Sequence, residues 1–255
     1  MTKILYTSNN IASKNIADAI TTLGSNVDSR SKNYELIDTE VSSILDVPTD
    51  FNDDLLIVLS THKSKNPQTI FTAHYPGNWN VADFGGADRT LNTAYASKLK
   101  AILMNVSDIN KREKFNWDVS LEADHHGPTC SVPIIFAEIG SEEAQWKDKK
   151  AGAIMAEAVL KAIQSEKKFE TVFCIGEGHY PKTFNRIELE SEYAVGHILP
   201  KYAIEGIDEK LFEQAITKNV EPVKKVFVVK DSLNVKQKEK IKGFSSIFDV
   251  EYLEI

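Results

Sequence analysis

Continuous apolar runs alternate with stretches of helical spacing along this chain. Residues 55–59 are uniformly apolar, which is typical of a strand buried on both faces of a sheet. Residues 10–23 and 88–106 carry apolar side chains at helical spacing. Ser141 predicts the N-cap of a long helix that ends near Gln164. This alternation predicts an α/β fold, with a mixed, largely parallel sheet and helices on both faces.

Further short elements are predicted from apolar runs that end at turn-forming residues. The additional strands cover residues 3–7, 34–38, 119–123, 134–139 and 171–175. The last part of the chain predicts a helix over 208–217, a strand over 225–229, a helix over 235–241 and a strand over 248–253. We expect an α/β catalytic domain over residues 1–205 and a C-terminal α/β extension over 206–255 that packs on the same domain.

All six histidines lie between His62 and His197, each beside glycine, proline or other loop-forming residues. His62, His125, His126 and His179 follow predicted strands. Ligands of open α/β sheets bind beyond the carboxyl ends of the strands. Imidazole transfers protons near neutral pH and is the commonest metal ligand. The distribution therefore predicts one catalytic cleft at the rim of the sheet.

The residues around the double histidine carry the donor atoms of a metal site. Glu122, Asp124, His125 and His126 are the candidate metal ligands, and Glu138 lies on the neighbouring predicted strand. Adjacent histidines of an extended strand point to opposite faces, so only one would coordinate unless the following Gly-Pro turn relaxes this limit. The chain has no HExxH helix and no paired cysteine spacing. A metal centre and a metal-free acid–base site both remain open.

Other function classes lack their sequence signature. The chain contains no GxSxG elbow, no P-loop and no GxGxxG after the first strand. Cys130 follows the double histidine, so a Cys–His nucleophile is an alternative, and Cys130 or Cys174 could be a zinc ligand or a buried thiol. The net charge of −7 argues against non-specific coating of nucleic acid but leaves room for a local basic patch. With no long apolar run and no signal-like start, we expect a cytosolic protein.

Five segments carry the histidines and their acidic neighbours: STHKSKNPQTIFTAHYPGN, EADHHGP, FAEIGSEEAQW, IGEGHYPKTF and GHILPKYAI. In this order they resemble the archaeal and plant type of D-aminoacyl-tRNA deacylase, over about residues 1–205. The resemblance implies hydrolysis of the ester that joins a D-amino acid to tRNA, zinc dependence and a monomeric cytosolic enzyme. It also implies a phosphorylase/hydrolase-like fold related to peptidyl-tRNA hydrolase. Asp124 and Glu177 depart from the family pattern, which usually has a small or hydroxyl residue and a glycine at these positions.

Ester hydrolysis needs an activated water, a group that stabilises the oxyanion and an acid for the leaving ribose oxygen. Lys63 or a backbone amide of the Gly127 loop could face the oxyanion, Glu138 or Glu177 could accept the proton of water, and His179 could protonate the 3′ oxygen. The expected catalytic residues are His125, His126, His179, Glu138 and Lys63. The expected substrate-binding residues are His62, His74, Tyr75, Asn78, Glu177 and His197. Zinc is the expected cofactor, and tRNA that carries a D-amino acid is the expected partner.

Two other functions are compatible with the same residues. One is a metal-dependent amidohydrolase or peptidase that acts on a small substrate without RNA. The other is a module that binds tRNA or zinc without catalysis.

Overall fold

The computed structural model describes residues 1–25, 33–41 and 46–255 of the chain. Over these residues a six-stranded sheet forms one half of the fold. Its strands, in spatial order, are β2 (Tyr34–Asp38), β1 (Thr2–Tyr6), β3 (Leu55–Lys63), β8 (Ile134–Ser141), β4 (Ile70–His74) and β7 (Asp118–Leu121). The first four run parallel, whereas β4 pairs antiparallel with β8, and β7 runs parallel to β4.

A second, fully parallel sheet forms the other half. Its strands, in spatial order, are β10 (Tyr193–Leu199), β9 (Glu170–Ile175), β11 (Val223–Val228) and β12 (Glu251–Glu254). Because β11 pairs with β9, residues on either side of position 205 share this sheet. The domain boundary at residue 205 stays a prediction. A small hairpin of β5 (Gly77–Asn78) and β6 (Thr90–Leu91) lies outside both sheets.

Helices fill the space between the sheets and cover the outside of the second one. They are α1 (Ile11–Gly24), α2 (Ala96–Arg112), α3 (Glu143–Trp146), α4 (Lys149–Gln164), α5 (Lys182–Glu190), α6 (Glu209–Thr217) and α7 (Val235–Ile247), with a 3-10 helix at Lys201–Gly206. One continuous core joins α1, α2 and α4 to both sheets, and a second core packs Phe212 of α6 on Phe173 of β9. The expected mixed α/β fold is thereby confirmed. No helix of the described residues is long and apolar enough to cross a membrane.

Three of the predicted helices have clearly different bounds in the structure, and one of them is α7, which ends at Ile247 rather than at residue 241. Helix α2 begins at Ala96 rather than near residue 88, because β6 pairs with β5 and the Asn92 side chain then donates to the Pro76 and Pro128 carbonyls. The helix predicted from Ser141 is divided into α3 and α4. Asp148 caps the start of α4 by accepting from two backbone N–H groups, while Ser141 ends strand β8.

The polar side chains of the first sheet lie on one of its faces. Side chains alternate along a strand, so Ser60 and His62 of β3 lie on the same face. Glu138 of β8 pairs with Ser60 on one side and with Thr72 of β4 on the other, so it also lies on this face. His74, two residues after Thr72, lies on this face too. The opposite face packs on the helices.

As expected, His62 lies at the carboxyl end of β3, and the double histidine and His179 follow the carboxyl ends of β7 and β9. These ends do not form one rim, because β7 runs opposite to β3 and β9 belongs to the second sheet.

Gly140 makes room for one of these polar side chains. It pairs directly with His62 across β3 and β8. A Cβ added at Gly140 would lie 2.5 Å from Cδ2 and 2.6 Å from Cβ of His62. A side chain at this position would have to displace the imidazole or the strand.

We expect Gly140→Ala to lower the free energy of unfolding by about 1–3 kcal/mol, because the methyl group overpacks the contact with His62. Gly243→Ala is the matched control. Gly243 lies inside α7 with nothing within 4 Å of an added Cβ, so alanine should raise the stability by about 0.5–1 kcal/mol. Urea unfolding of both variants checks this. Equal effects of the two substitutions would contradict it.

Candidate metal centre and active site

A buried carboxylate stands at the centre of the histidine cluster. Glu122, which directly follows β7, is 2% exposed. One of its oxygens lies 3.2 Å from His62 Nδ1 and 3.2 Å from His179 Nε2, and the other lies 3.1 Å from His74 Nδ1. Burial alone would raise the pKa of Glu122, but the contacts with His179 and His74 outweigh it and hold that pKa well below its usual range. The carboxylate is therefore ionised.

The double histidine contributes two rings to the same cluster. His126 has a φ of +47°, in the left-handed region, so the extended backbone ends there and the alternation of side chains is broken. The ring centroids of His125 and His126 lie 4.4 Å apart. The turn thus brings together two residues that a continuing strand would have separated.

Backbone carbonyls fix the tautomers of both rings. His125 Nδ1 lies 2.8 Å from the Ala123 carbonyl, and His126 Nδ1 contacts the Gly127 carbonyl. Because a carbonyl only accepts, each Nδ1 carries the proton and each Nε2 keeps its lone pair. Burial, reinforced by the His74 ring, lowers the pKa of His125 well below its usual value and that of His126 to about 4. Both imidazoles are neutral, as metal ligands must be.

His74 joins the double histidine to Glu122. Its Nε2 lies 3.1 Å from His126 Nε2, and its ring centroid lies 4.1 Å from that of His125. His74 Nδ1 and its Glu122 oxygen are close, yet neither has a partner in hydrogen-bonding geometry. Because Nδ1 faces the carboxylate, the nitrogen that His74 presents to the double histidine is Nε2. His74 is accordingly a candidate ligand rather than the substrate-binding group that we expected.

His62 faces a second carboxylate. Its Nδ1 lies 3.6 Å from Glu138, which accepts a hydrogen bond from Thr72. Burial disfavours the imidazolium, but Glu138 and the charge of Glu122 outweigh this and raise the pKa of His62. Tyr180 holds the other ring nitrogen, with its hydroxyl 2.9 Å from His62 Nε2. Tyr180 is not among the residues predicted from sequence, although its position next to His179 was a signal.

Three groups of side chains in the described part of the chain could hold a metal ion. Within each group the donor atoms lie within 4.8 Å of one another. The groups share His125 and Glu122, so they form one connected cluster. They are His74 with His125 and His126, Glu122 with His125 and His179, and His62 with Glu122 and Glu138.

The cluster lies beneath an open cavity of about 790 Å³. His74 and Glu122 are buried under it. Eight of the residues predicted from sequence line the cavity: His62, Lys63, Asn78, Asp124, His125, His126, Glu138 and His179. The structure thus brings together most of the predicted site, including five of the six histidines.

Asp124 and His197 form a separate buried pair. The Asp124 carboxylate accepts from Ile198 N–H at 2.6 Å and lies 2.6 Å from His197 Nδ1. His197 Nε2 lies 2.9 Å from the Lys218 carbonyl. Both Asp124 oxygens are thereby used, and Asp124 belongs to none of the three metal-binding groups. The pair connects the loop of the double histidine to β10. We expected Asp124 to be a metal ligand and His197 to bind substrate, but the two side chains bond to one another instead.

Three further expected groups have structural partners. The Tyr75 hydroxyl donates to the Val195 carbonyl and is buried. Glu177, with a φ of +59°, accepts from the backbone of Thr183 at the start of α5. Within the Gly127 loop, the amide of Gly127 itself donates to the Phe84 carbonyl at 2.9 Å, so that one amide is not free for an oxyanion.

Neither cysteine fits a catalytic or metal-binding role. Burial raises the pKa of the Cys130 thiol, which contacts the Thr49 carbonyl. Cys174 is fully buried, and burial raises its pKa further. Neither belongs to a group that could hold a metal.

We expect Asp124→Ala to lower the free energy of unfolding of metal-free protein by about 2–4 kcal/mol, because His197 and Ile198 N–H then lose a buried acceptor. Asp118→Ala, at an exposed position of β7, should change it by less than about 0.5 kcal/mol. Urea unfolding with chelator present checks both. Unchanged stability of Asp124→Ala together with lost metal binding would make Asp124 a ligand instead.

Comparison with known proteins places the chain in a family. A family model for D-aminoacyl-tRNA deacylase matches residues 49–253. The match continues past residue 205, where the resemblance of the sequence motifs ends. The D-aminoacyl-tRNA deacylase of Ignicoccus hospitalis is 37% identical over 72% of this chain and 75% of its own length. That of Saccharolobus islandicus is 34% identical over 85% of this chain and 88% of its own length.

The fold has a solved counterpart. A crystal structure of a conserved protein of unknown function covers all of this chain and 95% of its own length, with a TM-score of 0.90 and 26% identity. The family match covers most of the chain, and it includes every residue of the metal-binding groups. The chain belongs to the D-aminoacyl-tRNA deacylase family.

Proposed function

We propose that this protein hydrolyses the ester bond between a D-amino acid and the 3′-terminal ribose of tRNA, releasing the free amino acid and the tRNA. Membership of the family supports the substrate class. The observation that carries the chemistry is the buried Glu122 carboxylate, surrounded by imidazoles beneath an open cavity. That the enzyme is a cytosolic monomer remains a prediction from the resemblance.

We further propose that the cofactor is zinc and that His74, His125 and His126 hold it. Three imidazoles are the donor set of one class of catalytic zinc site. In a tetrahedral site with ordinary zinc–nitrogen bonds, ligand nitrogens lie about 3.3 Å apart. The separation of 3.1 Å between Nε2 of His74 and of His126 fits this spacing. Ligating histidines usually donate their other N–H to a carbonyl or carboxylate, as His125 and His126 do here.

Zinc, when bound, polarises the ester carbonyl and makes water a stronger acid. Glu138, on the floor of the cavity, accepts the proton of the attacking water. Lys63 is exposed at the cavity wall, so its ammonium group can stabilise the oxyanion. His179, whose side chain is 33% exposed, protonates the leaving 3′ oxygen of the ribose. Tyr180 keeps His62 in place beside Glu138.

We expect the purified protein to release D-tyrosine from D-Tyr-tRNA, to spare L-Tyr-tRNA, and to lose activity on chelation and regain it with zinc. Release of labelled tyrosine measures all three. Hydrolysis of D-Tyr-tRNA and L-Tyr-tRNA at equal rates would refute the stereospecificity. Full activity after verified metal removal would refute the metal dependence.

The same preparation tests the alternative hypothesis of an amidohydrolase or peptidase that acts on a small substrate without RNA. Uncharged tRNA should inhibit the deacylation, and more strongly at low salt, because phosphate contacts are screened by salt. Indifference to added tRNA at every salt concentration would favour the small-substrate enzyme.

We expect His126→Ala to lower zinc content and turnover together, because it removes a ligand. Lys63→Ala should keep the zinc content and lower kcat by about 100-fold, the usual effect of losing one oxyanion-stabilising group. Elemental analysis of the dialysed proteins and single-turnover hydrolysis separate the two effects. Zinc loss in Lys63→Ala, or full zinc content in His126→Ala, would contradict the assignment.

A further inference from the structure

Apolar side chains project at the mouth of the cavity. Val81, Phe84 and Tyr202 line it, yet they are 67%, 69% and 63% exposed. Among aromatic side chains of the described residues, only Phe84 and Tyr202 are mostly exposed. Exposed aromatic rings at the entrance of a pocket mark a binding surface, because burying them against a ligand is favourable.

The backbone that carries Phe84 is held firmly beside the metal-binding cluster. The Phe84 carbonyl accepts from the amide of Gly127, which directly follows His126. The Asn78 side chain donates to the carbonyls of Gly85 at 2.9 Å and Ala87 at 3.2 Å. The Phe84 ring is therefore exposed, while hydrogen bonds fix its loop. A ligand can bind this ring without a large entropic cost of ordering the loop.

Tyr202 is fixed in a comparable way. It lies in the 3-10 helix Lys201–Gly206, whose first N–H donates to the Glu177 carbonyl at 2.8 Å. Arg89, from the loop that follows Phe84, donates to the Gly206 carbonyl at 2.9 Å. The Arg89 side chain thus joins the loop of Phe84 to the 3-10 helix that carries Tyr202.

The chemistry of the proposed substrate indicates which part of it reaches this mouth. The scissile carbonyl must lie on the floor, next to the imidazole cluster. The amino-acid side chain is attached one carbon from that carbonyl, so it stays inside the cavity. The ribose carries the base on C1′ and the 5′-phosphate that continues the tRNA on C5′, so both groups extend from the buried ester toward the opening. Of the two, only the base is a flat group that aromatic rings can cover, so the terminal base is the part that fits this mouth.

Resting on the proposed function, we infer that Phe84 and Tyr202 form the subsite for the 3′-terminal adenine of the substrate tRNA. Flat aromatic rings bind bases by stacking, which contributes roughly 5- to 150-fold in affinity per base. Val81 extends the apolar surface next to Phe84. This subsite would give affinity for the 3′-terminal adenosine, which all tRNAs share, and would not discriminate between amino acids.

Two model esters isolate the base. One is 3′-O-D-tyrosyl-adenosine, and the other is the same ester of methyl β-D-ribofuranoside, which has a methoxy group in place of the adenine. The readout is the ratio of kcat/KM for the first to kcat/KM for the second, measured on the zinc-loaded protein. Titration of each protein with adenosine 5′-monophosphate reports binding of the base without turnover.

The variants separate stacking from general apolar contact. Phe84→Leu and Tyr202→Leu keep an apolar side chain but remove the flat ring, and both positions are exposed enough for the fold to tolerate the change. Phe84→Tyr and Tyr202→Phe keep the ring. Val235→Ala is the matched control, because Val235 is 72% exposed on α7 and does not line the cavity.

We expect each leucine variant to lower the ratio by roughly 5- to 150-fold, mainly through KM, and to weaken binding of adenosine 5′-monophosphate. The ring-keeping variants and Val235→Ala should keep the wild-type ratio. An unchanged ratio in both leucine variants would overturn the subsite. An equal loss on both esters would also overturn it, since the rings would then contact the aminoacyl part.

Failure of the proposed function gives a different result. If the zinc-loaded wild-type protein hydrolyses neither D-Tyr-tRNA nor either ester, the function is refuted and the subsite with it. If the wild type is active and the ratio does not respond to loss of the rings, only the subsite is refuted.

Discussion

The buried, ionised carboxylate of Glu122 is the constraint on which the rest of the site depends. Removing a carboxylate from water is costly, and it persists only when nearby groups compensate its charge. Three imidazoles contact its two oxygens. Glu138 adds a second buried carboxylate nearby, while His125 and His126 stay neutral. An arrangement rich in negative charge and in nitrogen lone pairs is suited to a divalent cation, which would offset the cost of burying Glu122.

The fold supplies this arrangement by uniting two sheets. Polar positions alternate with apolar ones at the ends of β3, β4 and β8, so one face of the first sheet carries the acids and histidines while the other packs on helices. The second sheet contributes His179 through the loop after β9. It is connected to the double histidine by Asp124, which bonds to β10. The geometry of the cluster is therefore coupled to the packing of the two sheets.

Much of this could be predicted from sequence. The strands over residues 34–38 and 55–59 and the helix after Asn10 were evident because their apolar spacing is regular. The grouping of five histidines followed from their common loop-like contexts. Strand β4 was missed because it is short and ends in a histidine, and β10 was missed because Gly196 and His197 interrupt its apolar pattern.

The remaining errors have a physical origin in long-range pairing. The antiparallel direction of β4 is set by contacts between distant strands, so the site formed on a sheet face rather than at one rim. Asp124 and His197 were predicted as site residues because carboxylate and imidazole groups commonly bind metals or substrates. They bond to one another instead, although 73 positions separate them in the sequence. The roles of Phe84 and Tyr202 were equally hidden, since exposure at a cavity mouth has no sequence signature.

The most direct test of the central claim, that the cluster is a metal centre, is anomalous X-ray scattering at the zinc edge from crystals grown with zinc. We expect an anomalous peak bounded by Nε2 of His74, His125 and His126, with Asp124 still bonded to His197. A peak at Asp124, or no peak in the cluster of a zinc-loaded and active protein, would contradict it.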